Sequence, residues 1–203
     1  MAVTPRPHDL LRLDATAALG TTPPGWASAS LAACPWGVVR RAPHSPGLIP
    51  IGVRGPERWQ RHATVIPAGA VSRCVPPEEL NDGRPRLPRL AASLSAIARW
   101  ITTELDGDIG WGPVGSVGFE LATGRPATHT GSDLDVLIRT PRRLERARAA
   151  RLAAAFTDLP GTVDCQLETP GGGISLTEWA AGGPVMARTD HGPELVDDPW
   201  TPA

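Results

Sequence analysis

Apolar positions change rhythm once along this chain. Through the first eighty or so residues they come in short runs cut every few positions by Pro or Gly, as in TTPPGW, CPWGVV, APHSPGLIPIGVRGP and VIPAGA. Runs of that kind predict short strands and turns, and Val38 to Arg41 and Ile49 to Val53 are the clearest strands. The polar, proline-spaced segment Glu78 to Pro88 then reads as a boundary or linker. Beyond it Leu90, Leu94, Ile97, Ala98, Ile101 and Leu105 recur at helical spacing, with Pro88 suited to the first turn, so an amphipathic helix is predicted. An apolar, glycine-rich stretch follows from Ile109 to Gly118, and Asp133 to Ile138 reads as a strand. A second helix from about Arg142 to Phe156 leads to a strand at Val163 to Glu168, and Pro170 to Gly173 reads as a turn into ISLTEWAA. The expected fold class is α+β. A small N-terminal α/β module rich in short strands occupies residues 1–80, and a mixed sheet with flanking helices occupies 88–203. No internal repeat is found.

Composition narrows the chemistry. The 203 residues are 41% hydrophobic, enough for a real core. Gly 22 and Pro 23 call for many stiff turns without reaching the level that argues disorder. The formal net charge of -1 provides no global basic field, so polymeric DNA or RNA is an unexpected partner. No lysine occurs, which removes Walker-A and Schiff-base chemistry together. Any phosphate held by a cationic side chain must therefore be held by arginine, whose planar fork suits it. Cys34, Cys74 and Cys165 are an odd number without a CxxC pair, which supports neither a disulfide framework nor a zinc site. MAVTPRPHDLLRLD has no apolar core of a signal peptide, and no bilayer-length apolar run appears later. A cytoplasmic protein is expected, with no membrane partner.

One constellation carries chemistry. In a strand alternate residues share a face, so Asp133 and Asp135 point together while Leu134, Val136 and Ile138 point into a core. Two carboxylates leaving one sheet edge can converge on divalent ions, and hard oxygen ligands favour Mg²⁺ or Mn²⁺. Taken alone, the pattern favours a plainer reading, with Asp133 capping the turn after Gly131-Ser132 and Asp135 a solvated strand residue. Two further features favour the metal reading. Trp111 to Ser116 supplies a strand-like approach to a Gly115-Ser116 turn and a helix start, where free backbone N–H groups and a hydroxyl bind phosphate. Asp164 is a third carboxylate, on a strand between apolar residues, where a charge needs a partner.

Gly-Ser, then DxD on a strand, then a carboxylate on a later strand with a helix between is the order of the nucleotidyltransferase superfamily, which this chain resembles. Sixteen residues lie between Ser116 and Asp133, more than compact members have, which implies an inserted loop around Thr123 to Thr130. RPHDLL, PWGVVRRA, IPIGVRGPERWQR, GSVGFELATG with SDLDVLI, and VDCQLETPGGGISLTEWA with GPELVDDPW together look like the phosphoribosyl-dephospho-CoA transferases, the holo-[acyl-carrier-protein] synthases of malonate decarboxylase. The resemblance implies a nucleotidyltransferase-like C-terminal module behind a small N-terminal one. It also implies transfer of 2'-(5''-phosphoribosyl)-3'-dephospho-CoA from its triphosphate donor to a serine of the malonate decarboxylase acyl-carrier protein, with release of pyrophosphate. Asp133 and Asp135 would then hold Mg²⁺ or Mn²⁺. Asp164 would be a third ligand or the acceptor of the serine proton.

Arg40, Arg41, Arg54, Arg58 and Arg61 lie at or just after the N-terminal strands, and Gly52 and Gly55 would let backbone approach a ligand closely. They form either a solvated charged face or a clamp, and the clamp would hold donor phosphates or an acidic carrier surface. His62 and His129 could position groups, Trp59 and Trp111 could stack on adenine, and Glu168 and Glu178 could support the site from behind. Each has a plain surface or core reading beside it. Two other functions keep the same residues. One is a nucleotidyltransferase acting on a protein or small molecule, separable by donor choice. The other is a non-catalytic carrier-binding module, separable by metal titration.

Overall fold

In a computed structural model, residues 4–14, 22–57, 59–105 and 109–201 are described. The chain divides into two compact units, Met1–Pro76 and Pro77–Ala203. Together their described residues form two sheets and five α-helices, an α+β protein.

The first unit is an antiparallel sheet of β1 (Leu10–Leu13), β2 (Trp36–Val39), β3 (Leu48–Arg54), β4 (Arg61–Pro67) and β5 (Val71–Val75), in the order β4-β3-β2-β1-β5. Period-two alternation explains β3: Ile49, Ile51 and Val53 are buried with Leu11, Leu13, Val39 and Ile66, whereas Gly52 and Arg54 stand on the other face. Helix α1 (Gly25–Ala33) contributes Ala27 to that core, with Trp26 and Leu31 packed against it. Its sequence, GWASASLAA, has one buried residue and no apolar stripe, which is why the periodicity reading does not find it.

The second unit orders its strands β11-β10-β9-β8-β7-β6: β6 (Trp111–Pro113), β7 (Leu134–Arg139), β8 (Val163–Thr169), β9 (Gly172–Ser175), β10 (Val185–Thr189) and β11 (Gly192–Val196). Among the described residues only β7 and β8 pair in parallel here, and α4 (Arg146–Thr157) makes the crossover that a parallel pair requires. Helix α2 (Pro88–Glu104) buries Leu90, Leu94, Ile97 and Ile101 at the predicted spacing, in one core with Leu134, Val136, Ile138, Cys165 and Leu167. Helices α3 (Gly115–Thr123) and α5 (Leu176–Ala181) complete the unit.

Three details differ from the sequence reading. The border between the units falls at Pro76–Pro77, and the segment from Glu78 is packed into the second unit rather than linking the two. A 3-10 turn at Pro77–Leu80 buries Leu80, its Glu78 pairs with Arg139 at 2.7 Å, and Gly112 lacks the Cβ that would strike the Pro77 carbonyl. Gly172 and Gly173 enter strand β9 rather than remaining in the turn. The β10–β11 hairpin went unpredicted, because β11 has no buried residue and hence no alternation to read.

Candidate functional site

The sheet of the second unit places the predicted residues at one end. Strand β6 runs antiparallel to β7, so its last residue lies beside the beginning of β7, and β8 begins there too. Asp135 and Asp164 are register partners on these parallel strands, about 4.8 Å apart along the hydrogen-bonding direction. Asp133 stands just ahead of β7. Asp133 and Asp164 are exposed and Asp135 is half-buried.

The Gly115-Ser116 turn meets them. The Val114 N–H donates to the Asp135 carbonyl at 2.9 Å, and α3 begins at the next residue. Gly115 has φ +58, and a Cβ there would overlap the Asp135 carboxylate. Glycine is needed for both the left-handed backbone and the close approach. No side chain caps the N-terminus of α3, so its first N–H groups are available to an anion. Ser116, half-buried, lies in that first turn.

Fit to a divalent ion can be tested on this arrangement. Asp133 and Asp135, two residues apart at the start of β7 and beside a turn without side-chain bulk, suit an ion that takes one or two protein carboxylates and completes its shell with water and substrate phosphate, as Mg²⁺ does. Among the described residues no group of three or more His, Cys, Asp or Glu side chains is gathered closely enough to hold a metal. The residues therefore fit an ion shared with substrate rather than an all-protein cage.

The loop between Gly115 and Asp133 is braced by residues the sequence reading passed over. Glu120 on α3 is buried, and its carboxylate accepts from the backbone N–H groups of Arg86 (3.1 Å), Ala127 (3.1 Å) and Thr128 (3.2 Å) and from the Thr128 hydroxyl (2.8 Å). Burial pushes this carboxyl up, but those hydrogen bonds together outweigh it and hold the group below the usual carboxylate range. Arg89 on α2 donates to the carbonyls of Thr130 (2.7 Å) and Ser132 (2.6 Å), immediately before Asp133. Glu120 follows Val117 by three residues on one helix face, and that spacing was the available signal for a buried, satisfied carboxylate.

The remaining candidates separate. In the first unit Arg54 and Arg61 are cross-strand partners, and the stem of Arg40 lies over Gly52, so these three share the sheet face opposite α1. Arg41 follows β2, and Arg58 lies outside the described residues. His62 meets the Trp26 ring edge-on at 6.4 Å on the α1 side. His129 binds within its own turn, its Nδ1 accepting from the Gly131 N–H at 3.1 Å. Trp111 is buried in the core, whereas Trp59 is exposed. Glu178 receives the Met186 N–H at 3.3 Å, and Glu168 lies on β8. Cys165 is buried, and burial first, then the Asp164 charge, push its thiol upward and leave it inert.

Comparison with known proteins agrees with this geometry in extent. Residues 80–199 match the model of the phosphoribosyl-dephospho-CoA transferase MdcG C-terminal domain, and residues 6–77 match that of its N-terminal domain. The chain belongs to the phosphoribosyl-dephospho-CoA transferase family. It is 43% identical to the phosphoribosyl-dephospho-CoA transferase of Pseudomonas aeruginosa over 97% of this chain and 94% of that one. To the protein of the same name from Azotobacter vinelandii it is 43% identical with the same coverage. A Klebsiella pneumoniae relative is 38% identical over 98% of each chain. Membership of this family makes the chain a transferase. No solved structure matches it. Among the described residues no helix is long and apolar enough to cross a membrane.

Proposed function

We propose that this transferase moves 2'-(5''-phosphoribosyl)-3'-dephospho-CoA from its triphosphate donor onto a serine of the malonate decarboxylase acyl-carrier protein, by nucleotidyltransferase-type chemistry in the cytoplasm. The observation that best supports the reading is the register of Asp135 against Asp164 beside the left-handed Gly115.

The serine oxygen forms a bond to the α-phosphorus, the bond from that phosphorus to the bridging oxygen of pyrophosphate breaks in line, and the serine proton passes to Asp164. Asp133 and Asp135 would hold Mg²⁺ or Mn²⁺, which when bound neutralises charge gathering on the leaving pyrophosphate. The uncapped start of α3 and the Ser116 hydroxyl hold a non-transferred part of the triphosphate. Glu120 and Arg89 keep the Asp133 loop in place through their hydrogen bonds.

Intact-mass analysis of the apo carrier protein after incubation with this chain, the donor and Mg²⁺ tests the proposal. One added phosphoribosyl-dephospho-CoA group on a serine is the expected result. An unmodified carrier rejects it, as does a carrier that gains a nucleoside monophosphate when ATP replaces the donor. Mn²⁺ titration followed by electron paramagnetic resonance separates the two roles open to Asp164, since Asp164→Asn retains metal affinity if the group serves as the base.

A further inference from the structure

Within the second unit, a cleft of about 540 Å³ lies between the segment before α2 and the first turns of that helix, lined by Asp82, Arg84, Arg86, Ala91, Ala92 and Ser95 among others. That volume falls in the range of small-molecule sites. Arg84 and Arg86 are exposed, and neither guanidinium has a side-chain or backbone partner among the described residues. The α-helical floor is made of short side chains, so an organic body can lie against it. The uncapped N-terminal end of the 17-residue helix α2 adds positive potential at the same place.

The walls are held firmly. The Arg86 N–H is bound by Glu120 of α3, and the Leu121 side chain lies against Gly83, so the segment is fixed to the helix that begins at Gly115. Arg89, one residue after Pro88 of the cleft, grips the loop that delivers Asp133. One rigid frame thus carries both the cleft and the turn that meets the carboxylates.

We propose that this cleft binds the dephospho-CoA arm of the donor, with Arg84 and Arg86 on its bridging diphosphate and the neighbouring organic body on the Ala91–Ala92–Ser95 floor. The inference rests on the donor assigned under the proposed function. That donor bears phosphate in two places: the triphosphate that reacts, and the diphosphate that joins adenosine to pantetheine and passes through unchanged. The Gly115-Ser116 turn and the carboxylates serve the first, so the second needs cations of its own. In a chain without lysine these must be arginines. A contact to the unchanged diphosphate is equal in ground and transition states, so it acts on KM and leaves kcat alone.

The test is calorimetric titration of the full chain with 3'-dephospho-CoA in the absence of metal, together with transfer kinetics. Loss of two arginine–phosphate contacts in Arg84→Ala/Arg86→Ala should weaken binding about tenfold or more and raise the donor KM similarly, with kcat kept. Ala92→Trp, at an exposed position on the floor, should block binding, and Arg99→Ala on the same helix should change nothing. Circular dichroism checks that each variant is folded. If dephospho-CoA fails to bind the wild type, or binds the arginine and tryptophan variants with wild-type affinity, the proposal is overturned. Binding that depends on Arg84, Arg86 and Ala92 in a protein that modifies no carrier would uphold the cleft while rejecting the transfer reaction. Transfer with wild-type donor KM in the cleft variants would do the reverse.

Discussion

The two units use a sheet in different ways. In the first, one face of the sheet is covered by α1 and the opposite face gathers Arg40, Arg54 and Arg61, so its chemistry is spread over a surface. In the second, the faces of the strands serve packing and the candidate carboxylates collect at one end, where β6 stops and β7 and β8 start. A face can present several like charges to a ligand it does not alter. A strand end can bring groups from different elements onto one atom, because each strand there stops and turns. On the proposed function, the chemistry lies in the second unit and the arginine face of the first adds a substrate contact, a division that substitutions can break.

The largest effect is expected at the strand end. Asp133→Asn, Asp135→Asn and Asp164→Asn each remove a charge that the proposed mechanism uses, and each should lower kcat by about 10³-fold or more. The fold should survive, because Asp133 and Asp164 are exposed and Asp135 is half-buried. Thermal stability without metal should hold or rise as mutual repulsion falls. Near-wild-type turnover in two of the three would end the assignment.

Gly115→Ala tests the same end without touching a charge. The new Cβ would enter the space of the Asp135 carboxylate at a backbone with φ +58, which costs about 1–3 kcal/mol. Displacing Asp135 by even about 1 Å should reduce kcat roughly 10²-fold. A variant with wild-type kcat and melting temperature would mean that the Gly115–Asp135 contact is unimportant.

Much of this end could be read in the sequence, and the reason is periodicity. Leu134, Val136 and Ile138 alternate with Asp133 and Asp135, and Leu90 to Ile101 recur at helical spacing, so strand, helix and carboxylates are fixed by local pattern. The pairing of Asp135 with Asp164 is a register between strands separated by a helix, which no local pattern specifies. The partners of Glu120 were hidden for a related reason. Its four donors come from Arg86, Ala127 and Thr128, which are distant in sequence or sit in an irregular loop. Helix α1 and strand β11 lack an apolar rhythm, so only tertiary structure defines them.

Glu120→Ala should act on stability ahead of chemistry. It leaves four donors without their acceptor and should cost about 2–4 kcal/mol, read by urea denaturation. Its pH dependence follows from the lowered carboxyl. A group whose folded-state pKa lies below its unfolded value stabilises the fold above the unfolded value, about 4.3 for Glu, and that contribution disappears as pH falls through the lower folded value. Wild type and variant should therefore differ fully at neutral pH and converge in acid. A stability difference that stays constant from neutral pH down through that range would show that the Glu120 charge contributes nothing.

The smallest effect is expected in the first unit, and it decides whether the division between the units is correct. Arg54 and Arg61 are directly opposite on β3 and β4. If the outer face only holds substrate, Arg54→Ala and Arg61→Ala remove binding that is equal in ground and transition states. The apparent KM for one substrate should then rise several-fold, up to about tenfold, while kcat stays within about twofold. Added salt should reproduce the change in the wild type by screening the same contacts. Saturation curves run separately for donor and carrier identify the substrate this face holds. Loss of kcat alone in either variant would mean that the arginine face takes part in the chemical step, and the contrast between face and strand end would no longer describe how this enzyme divides its work.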